Sequence, residues 1–196
     1  MGNININLKQ LYVIDNFYSP EDFNFMVSAS LLNPYDTTYQ PNSNFMHRKE
    51  NGYICHETKE FNKEDLAFNL FYRTFQEKTL LKVNFIRTHF RKIYSSDIPH
   101  VFKYGMSPHQ DRIGTTGEIN IAGVVHINAS GLEDGTALFS SNEQIEPDII
   151  IGAVPNRCVF YDPKIWHRPL QDKRTELRII QPFFMKVDNY ENNKRI

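Results

Sequence analysis

The sequence predicts a mostly β protein with helices at its N-terminal end, built as an antiparallel sandwich or jelly roll. Three observations carry that prediction. Helical patterning with clear start signals is confined to the residues before Leu81. From Leu81 onward, seven or eight short runs rich in β-branched and aromatic residues follow one another, separated by Gly, Pro, Asn and Asp. No helix of crossover length lies between these runs, which favours antiparallel pairing over βαβ units, with the helices packed outside.

Leu11-Tyr12-Val13-Ile14 reads as a short strand. Ser19-Pro20-Glu21-Asp22 then starts a helix, with Ser as N-cap, Pro in the first turn and two acids facing the helix dipole. Asn33-Pro34 stops it after Leu32. Residues 35–60 lack a clear period and read as loop, with one short strand near Tyr53-Ile54-Cys55. A second helix opens at Asn62 or Lys63, with Leu66, Phe68, Leu70, Phe71 and Phe75 as its apolar face. The stretch from Val83 to Ile93 alternates partially, as a strand does, and 94–108 reads as a long loop. Ile119 to Asn128 is a strand with two faces. Ile119, Ile121, Val125 and Ile127 lie on one, and Asn120, Ala122, Val124, His126 and Asn128 on the other. Gly131 and Asp134-Gly135 mark a turn into Thr136–Phe139, and Asn142 to Asp148 is a polar excursion. Cys158–Tyr161, Ile165–His167 and Arg178–Lys186 complete the strands.

At 196 residues the chain is expected to be one domain, able to bury roughly 70% of the surface its unfolded form exposes. Its expected parts are a helical support over 1–80, a jelly-roll core over 81–187 and a polar tail over 188–196. The net charge of −1 and the lack of a basic run argue against a nucleic-acid or anionic-membrane partner. Two cysteines, Cys55 and Cys158, build no disulfide scaffold, and a reducing compartment is the simpler reading. The opening residues show no signal-peptide pattern, and no apolar stretch approaches the ~20 residues of a membrane span. A soluble, cytoplasmic protein is expected.

The chemistry-bearing set is His109-Gln110-Asp111, followed 58 residues later by His167 and 11 residues after that by Arg178. In an extended segment His109 and Asp111 point to one face while Gln110 points to the other. Two imidazoles and a carboxylate occupy one side of a non-haem Fe(II) ion and leave positions open. Arg178, opening an apolar strand, is a fixed cation suited to a carboxylate. Its competitor Arg174 lies in the charged turn Asp172-Lys173-Arg174-Thr175-Glu176 and reads as solvated. Trp166 is expected to pack beside His167, and His47, His56, His89 and His100 are expected to have no role in the chemistry. Residues 35–60 and 94–107 are the natural substrate-contacting loops.

These residues resemble the 2-oxoglutarate- and Fe(II)-dependent oxygenases, and within them the prolyl-4-hydroxylase-like branch with its bacterial and phage relatives. Tyr12 to Glu21 is similar to that branch's strand-then-helix opening, and Pro108-His109-Gln110-Asp111 to its His-x-Asp. Ala122 to Asn128 is similar to its core strand, and Asp134 to Phe139 to the strand after it. Asn156–Tyr161 with Trp166-His167 matches the distal-histidine segment, and Arg178–Phe184 the closing strand. The resemblance implies a double-stranded β-helix with His109, Asp111 and His167 as catalytic Fe(II) ligands. It further implies Arg178 pairing with the distal carboxylate of 2-oxoglutarate. His126 falls where many relatives carry a Tyr that contacts the same carboxylate, so it is a candidate cosubstrate contact. O2 would be the second cosubstrate, with succinate and CO2 released as a C–H bond is hydroxylated.

The implied prime substrate is a peptidyl residue such as proline, or a small molecule. Asp111 argues against a halogenase, where that position is usually Ala or Gly. Arg174 and Arg178 do not reproduce the arginine-rich closing motif of nucleic-acid demethylases. The alternatives are a non-catalytic metal-binding jelly-roll module and a cupin-type metal enzyme independent of 2-oxoglutarate.

Overall fold

The computed structural model describes residues 11–40, 53–97, 108–111, 119–128, 133–172 and 174–188. The expected loop at 98–107, the turn at Gly131, His47, His100 and the tail beyond Asp188 lie outside them. Two helices, α1 (Pro20–Leu32) and α2 (Leu66–Thr79), accompany eleven strands among the described residues. These are β1 (Leu11–Ile14), β2 (Asp36–Gln40), β3 (Tyr53–Glu57), β4 (Val83–Thr88), β5 (Arg91–Tyr94) and β6 (Ile121–His126), followed by β7 (Gly135–Phe139), β8 (Ile149–Gly152), β9 (Cys158–Tyr161), β10 (Trp166–Leu170) and β11 (Leu177–Val187). A large antiparallel sheet runs β1-β9-β6-β11-β5-β3-β2, with β4 also paired to β11, and a small sheet runs β10-β7-β8. The result is the jelly-roll core expected from the strand order. No described helix is long and apolar enough to cross a membrane.

Helix α1 starts where the capping signals place it. The Ser19 side chain accepts from the Asp22 N–H at 3.1 Å, and Pro20 opens the helix. Helix α2 begins later than the sequence suggests. Asn62 and Asp65 bond locally instead, the Asn62 N–H to Asp65 Oδ2 at 2.7 Å and the Glu64 N–H to Asn62 Oδ1 at 2.8 Å. Such side-chain turns compete with helix, and α2 opens only after Asp65. As a result Leu66 is exposed and Ala67 takes its place on the buried face, with Phe68, Leu70, Phe71 and Phe75.

Two strands depart from the sequence reading. β2, expected as loop, has the polar sequence Asp-Thr-Thr-Tyr-Gln and is held by backbone pairing to β3, from Asp36 opposite Glu57 to Gln40 opposite Tyr53. β8 follows the polar excursion directly and pairs with β7. A third difference lies between β4 and β5, which together answer the single run read over 83–93. Both pair with β11, and they part opposite Gln181-Pro182. Pro182 has no N–H to donate, so the ladder cannot continue there. Thr88 Oγ1 donates to Pro182 O at 2.9 Å, while the Phe90 backbone pairs with Thr58.

The outer face of the large sheet carries Ile121, Val125, Phe160, Ile179, Phe183 and Met185. The helices cover it: Phe71 lies 4.9 Å from Phe183 and Phe75 lies 5.3 Å from Phe160, centroid to centroid. The inner face, from alternate positions, carries Ala122, Val124, Val159, Tyr161 and Ile180 against Leu138 and Ile151 of the small sheet. Gly123 faces the helices, where a Cβ would collide with Phe183, the Val159 carbonyl and Phe160. Cys55 and Cys158 are buried thiols in separate clusters, not joined in a disulfide.

Candidate metal centre

His109 and His167 are direct backbone partners. Each N–H donates to the other residue's carbonyl at 2.8 Å, which adds the segment 108–111 to the edge of the small sheet beside β10. The Asp111 N–H donates to Pro163 O at 3.0 Å, and Gln110 Nε2 donates to Lys164 O at 2.5 Å. Gln110 is thereby bonded to the 163–165 turn, as the extended spacing predicted, while His109 and Asp111 join His167. One ligand atom from each of the three residues lies within 4.8 Å of the others. The imidazole centroids of His109 and His167 are 4.4 Å apart, and His167 Nε2 is 3.3 Å from Asp111 Oδ2.

The electrostatics suit a cation. Burial opposes the His167 imidazolium, but Asp111 beside it outweighs that and raises its pKa. Burial likewise opposes the Asp111 carboxylate. His167, His109 and the charge of Arg91 more than offset it, so Asp111 stays ionised. His167 Nδ1 lies 2.9 Å from Ile165 O. If Nδ1 carries the proton it donates there and leaves Nε2 as the lone-pair nitrogen facing the cluster, the usual outer bond of a metal-ligating histidine. The donor set therefore fits Fe(II): two imidazoles and one carboxylate converge from two neighbouring segments.

Arg178 and His126 lie deeper on the inner face. Arg178 is 2% exposed, and its NH1 donates to Leu170 O at 3.0 Å. His126 sits opposite Ile180 on β11 and is fully buried. Neither of its ring nitrogens has a hydrogen-bond partner. Burial pushes its pKa well down, with the charges of Arg178 and Arg157 acting the same way, so the ring is neutral. Buried polar atoms are rarely left unpaired. An orphaned imidazole in the field of a buried guanidinium fits an anionic group such as the distal carboxylate of 2-oxoglutarate. Arg174 is exposed and engaged by Asp172 and Glu133 on the surface turn, as expected. Trp166 packs against Ala137, Phe139 and Leu170.

Two residues at the site escaped the sequence reading. Tyr161 sets its ring against His167, tilted, with the centroids 4.7 Å apart. Burial raises its phenol pKa strongly, Asp111 adds to that and Arg178 opposes it. Arg91 donates through Nε to Glu57 Oε1 at 2.7 Å, close enough to Asp111 for its charge to be felt there. Alternation with outward Phe160 is the signal that could have turned Tyr161 inward. His89, which the sequence left without a role, lies 3.2 Å from the same Glu57 oxygen. His56 lies 3.2 Å from Thr37 Oγ1 on the neighbouring strand.

No protein-family model matches the sequence, and no curated protein matches it. Solved structures do. The chain is similar to a prolyl-4-hydroxylase from Pseudomonas putida, with TM-score 0.58 and 11% identity over 90% of this chain and 92% of that one. It is similar to an oxidoreductase of the 2OG-Fe(II) oxygenase family from Burkholderia pseudomallei, with TM-score 0.56 and 7% identity over 90% and 85%. It is also similar to a non-haem α-ketoglutarate-dependent epimerase of nogalamycin biosynthesis, with TM-score 0.55 and 10% identity over 90% and 78%. The protein has the fold of the 2-oxoglutarate/Fe(II) oxygenases.

Proposed function

We propose that the protein is a non-haem Fe(II)- and 2-oxoglutarate-dependent dioxygenase that hydroxylates an unactivated C–H bond. The observation that carries this reading is the convergence of His109, Asp111 and His167 within 4.8 Å on the side of the fold that also holds Arg178 and His126. His109 and His167 supply imidazole nitrogens and Asp111 a carboxylate, with the Ile165 carbonyl orienting His167. Arg178 receives the distal carboxylate of 2-oxoglutarate, and neutral His126 offers one ring N–H to the same group. The apolar inner face formed by Val124, Val159 and Ile180 excludes water from between them. Iron held there, with 2-oxoglutarate and O2, supplies oxidative decarboxylation to succinate and CO2 coupled to C–H oxidation.

Similarity to a prolyl-4-hydroxylase favours a peptidyl, proline-like residue as substrate, with a small molecule as the other class. The epimerase with the same fold shows that fold alone does not fix the outcome at the carbon. A non-catalytic metal-binding module gives no account of a buried arginine beside an orphaned histidine.

The test is anaerobic addition of Fe(II) and 2-oxoglutarate to the metal-free protein, watched for the visible charge-transfer band of an iron-bound 2-oxo acid. The band should form in the wild type and be lost in His167→Ala. In Arg178→Ala it should need about ten- to a hundredfold more 2-oxoglutarate. Metal binding without a band would overturn the reading.

A further inference from the structure

We propose that Tyr161 binds the cosubstrate directly, its phenol donating a hydrogen bond to the carboxylate at the metal end of a bound 2-oxo acid. The inference rests on the 2-oxoglutarate reading and adds a contact on a strand where the sequence indicated none. Tyr161 ends β9, opposite Leu11 on one side and Ala122 on the other. Alternation sends Cys158 and Phe160 to the helix-covered face, and Val159 and Tyr161 inward. There the ring lies against His167, 4.7 Å between centroids and tilted by 51°.

The hydroxyl is the informative atom. Tyr161 is 4% exposed, yet its hydroxyl makes no hydrogen bond among the described residues, and its register partners Leu11 and Ala122 are apolar. The other well-buried tyrosine behaves differently: Tyr18 donates to Gln181 Oε1 at 2.6 Å. Half-buried Tyr35 likewise donates to Ser30 O at 2.5 Å. The hydroxyl is not sealed in the core with the ring: it keeps some accessible surface beside His167, where a ligand oxygen can meet it, whereas phenylalanine would supply the same packing and no donor. The charges of both Asp111 and Arg178 act on this phenol. Its ring contact with His167 sets it beside the metal cluster, within reach of a 2-oxo acid held there. His126 lies four residues along β6 from Ala122, so the two donors serve opposite ends of that ligand.

The experiment is calorimetric titration of 2-oxoglutarate, and separately of pyruvate, which lacks the distal carboxylate, into Mn(II)-loaded wild type, Tyr161→Phe and His126→Phe. Tyr161→Phe keeps the ring, so its melting temperature and Mn(II) affinity should match the wild type. Both oxo acids should bind it about tenfold more weakly, whereas His126→Phe should weaken 2-oxoglutarate and spare pyruvate. Unchanged 2-oxoglutarate binding in Tyr161→Phe would overturn the inference while leaving the proposed function standing. Weakening of 2-oxoglutarate alone would overturn the metal-end assignment. A wild type that binds Mn(II) but neither oxo acid would overturn the proposed function and this contact with it.

Discussion

The two faces of the large sheet come from the same strands, yet one is dry and aromatic and the other holds the charge. On β11, Ile179, Phe183 and Met185 turn outward to the helices while Arg178 and Ile180 turn inward. On β9, Phe160 faces out and Tyr161 faces in. On β6, Val125 faces out and His126 follows inward. The period of two lets one strand anchor the fold and arm the site in successive residues, so the two functions are separable by mutation. Damage to the outer face should act on stability, and damage to the inner face on binding.

The largest effect is expected outside. Phe183→Ala removes a ring packed on Phe71 and Phe75 and should cost about 3 to 5 kcal/mol by chemical denaturation. Protein that remains folded should bind metal normally; loss of metal affinity in the folded fraction would break the separation. Inside, His167→Ala should lower Fe(II) or Mn(II) affinity by at least ~100-fold, measured by competition with a chelator, with a smaller change in melting than Phe183→Ala.

Glu57 tests the margin of the site. Burial raises its pKa, but the hydrogen bond from His89 and the charge of Arg91 hold it down at about 2, against an ordinary 4.5. A depressed carboxylate contributes stability that is full above about 4.5 and lost as pH falls through about 2. Glu57→Gln should therefore remove about 3 kcal/mol at neutral pH and flatten acid denaturation in that window. An unchanged acid profile would show that the pair is solvated. The smallest effect belongs to His126, which binds a proton more readily unfolded than folded. Stability should be full above about pH 6.5 and decline below it, by at most ~1.4 kcal/mol per pH unit. His126→Phe should abolish that slope between pH 6.5 and 5, and a slope that persisted would place the titration elsewhere.

Legibility in the sequence followed the same division. The convergence of His109, Asp111 and His167 was readable because extended spacing fixes His109 and Asp111 on one side, and the helix α1 start because Ser19-Pro20 acts locally. Tyr161 was not readable as a site residue, since a four-residue apolar run does not say which alternate faces a ligand. β2 was hidden because its pairing with β3 is a backbone matter and its side chains are polar. The interruption between β4 and β5 was set by Pro182, some ninety residues away, which no window around Thr88 contains. Arg91 is held by the Glu57 carboxylate of another strand, 34 residues away, and acts on Asp111 through its charge, which no local pattern shows.

The backbone pair between His109 and His167 joins residues 58 apart and is an isolated bridge rather than part of a long ladder. A metal ion gripping both imidazoles would clasp the same two chain segments a second time. Opening that edge would then require release of the ion, so its opening free energy would rise with metal activity as RT ln(1 + [M]/Kd). The amide protons of His109 and His167 would exchange more slowly as metal is added, while those of β6 and β9 kept their rates. The supply of metal would thus govern how long this side of the roll stays shut, before any oxidation takes place.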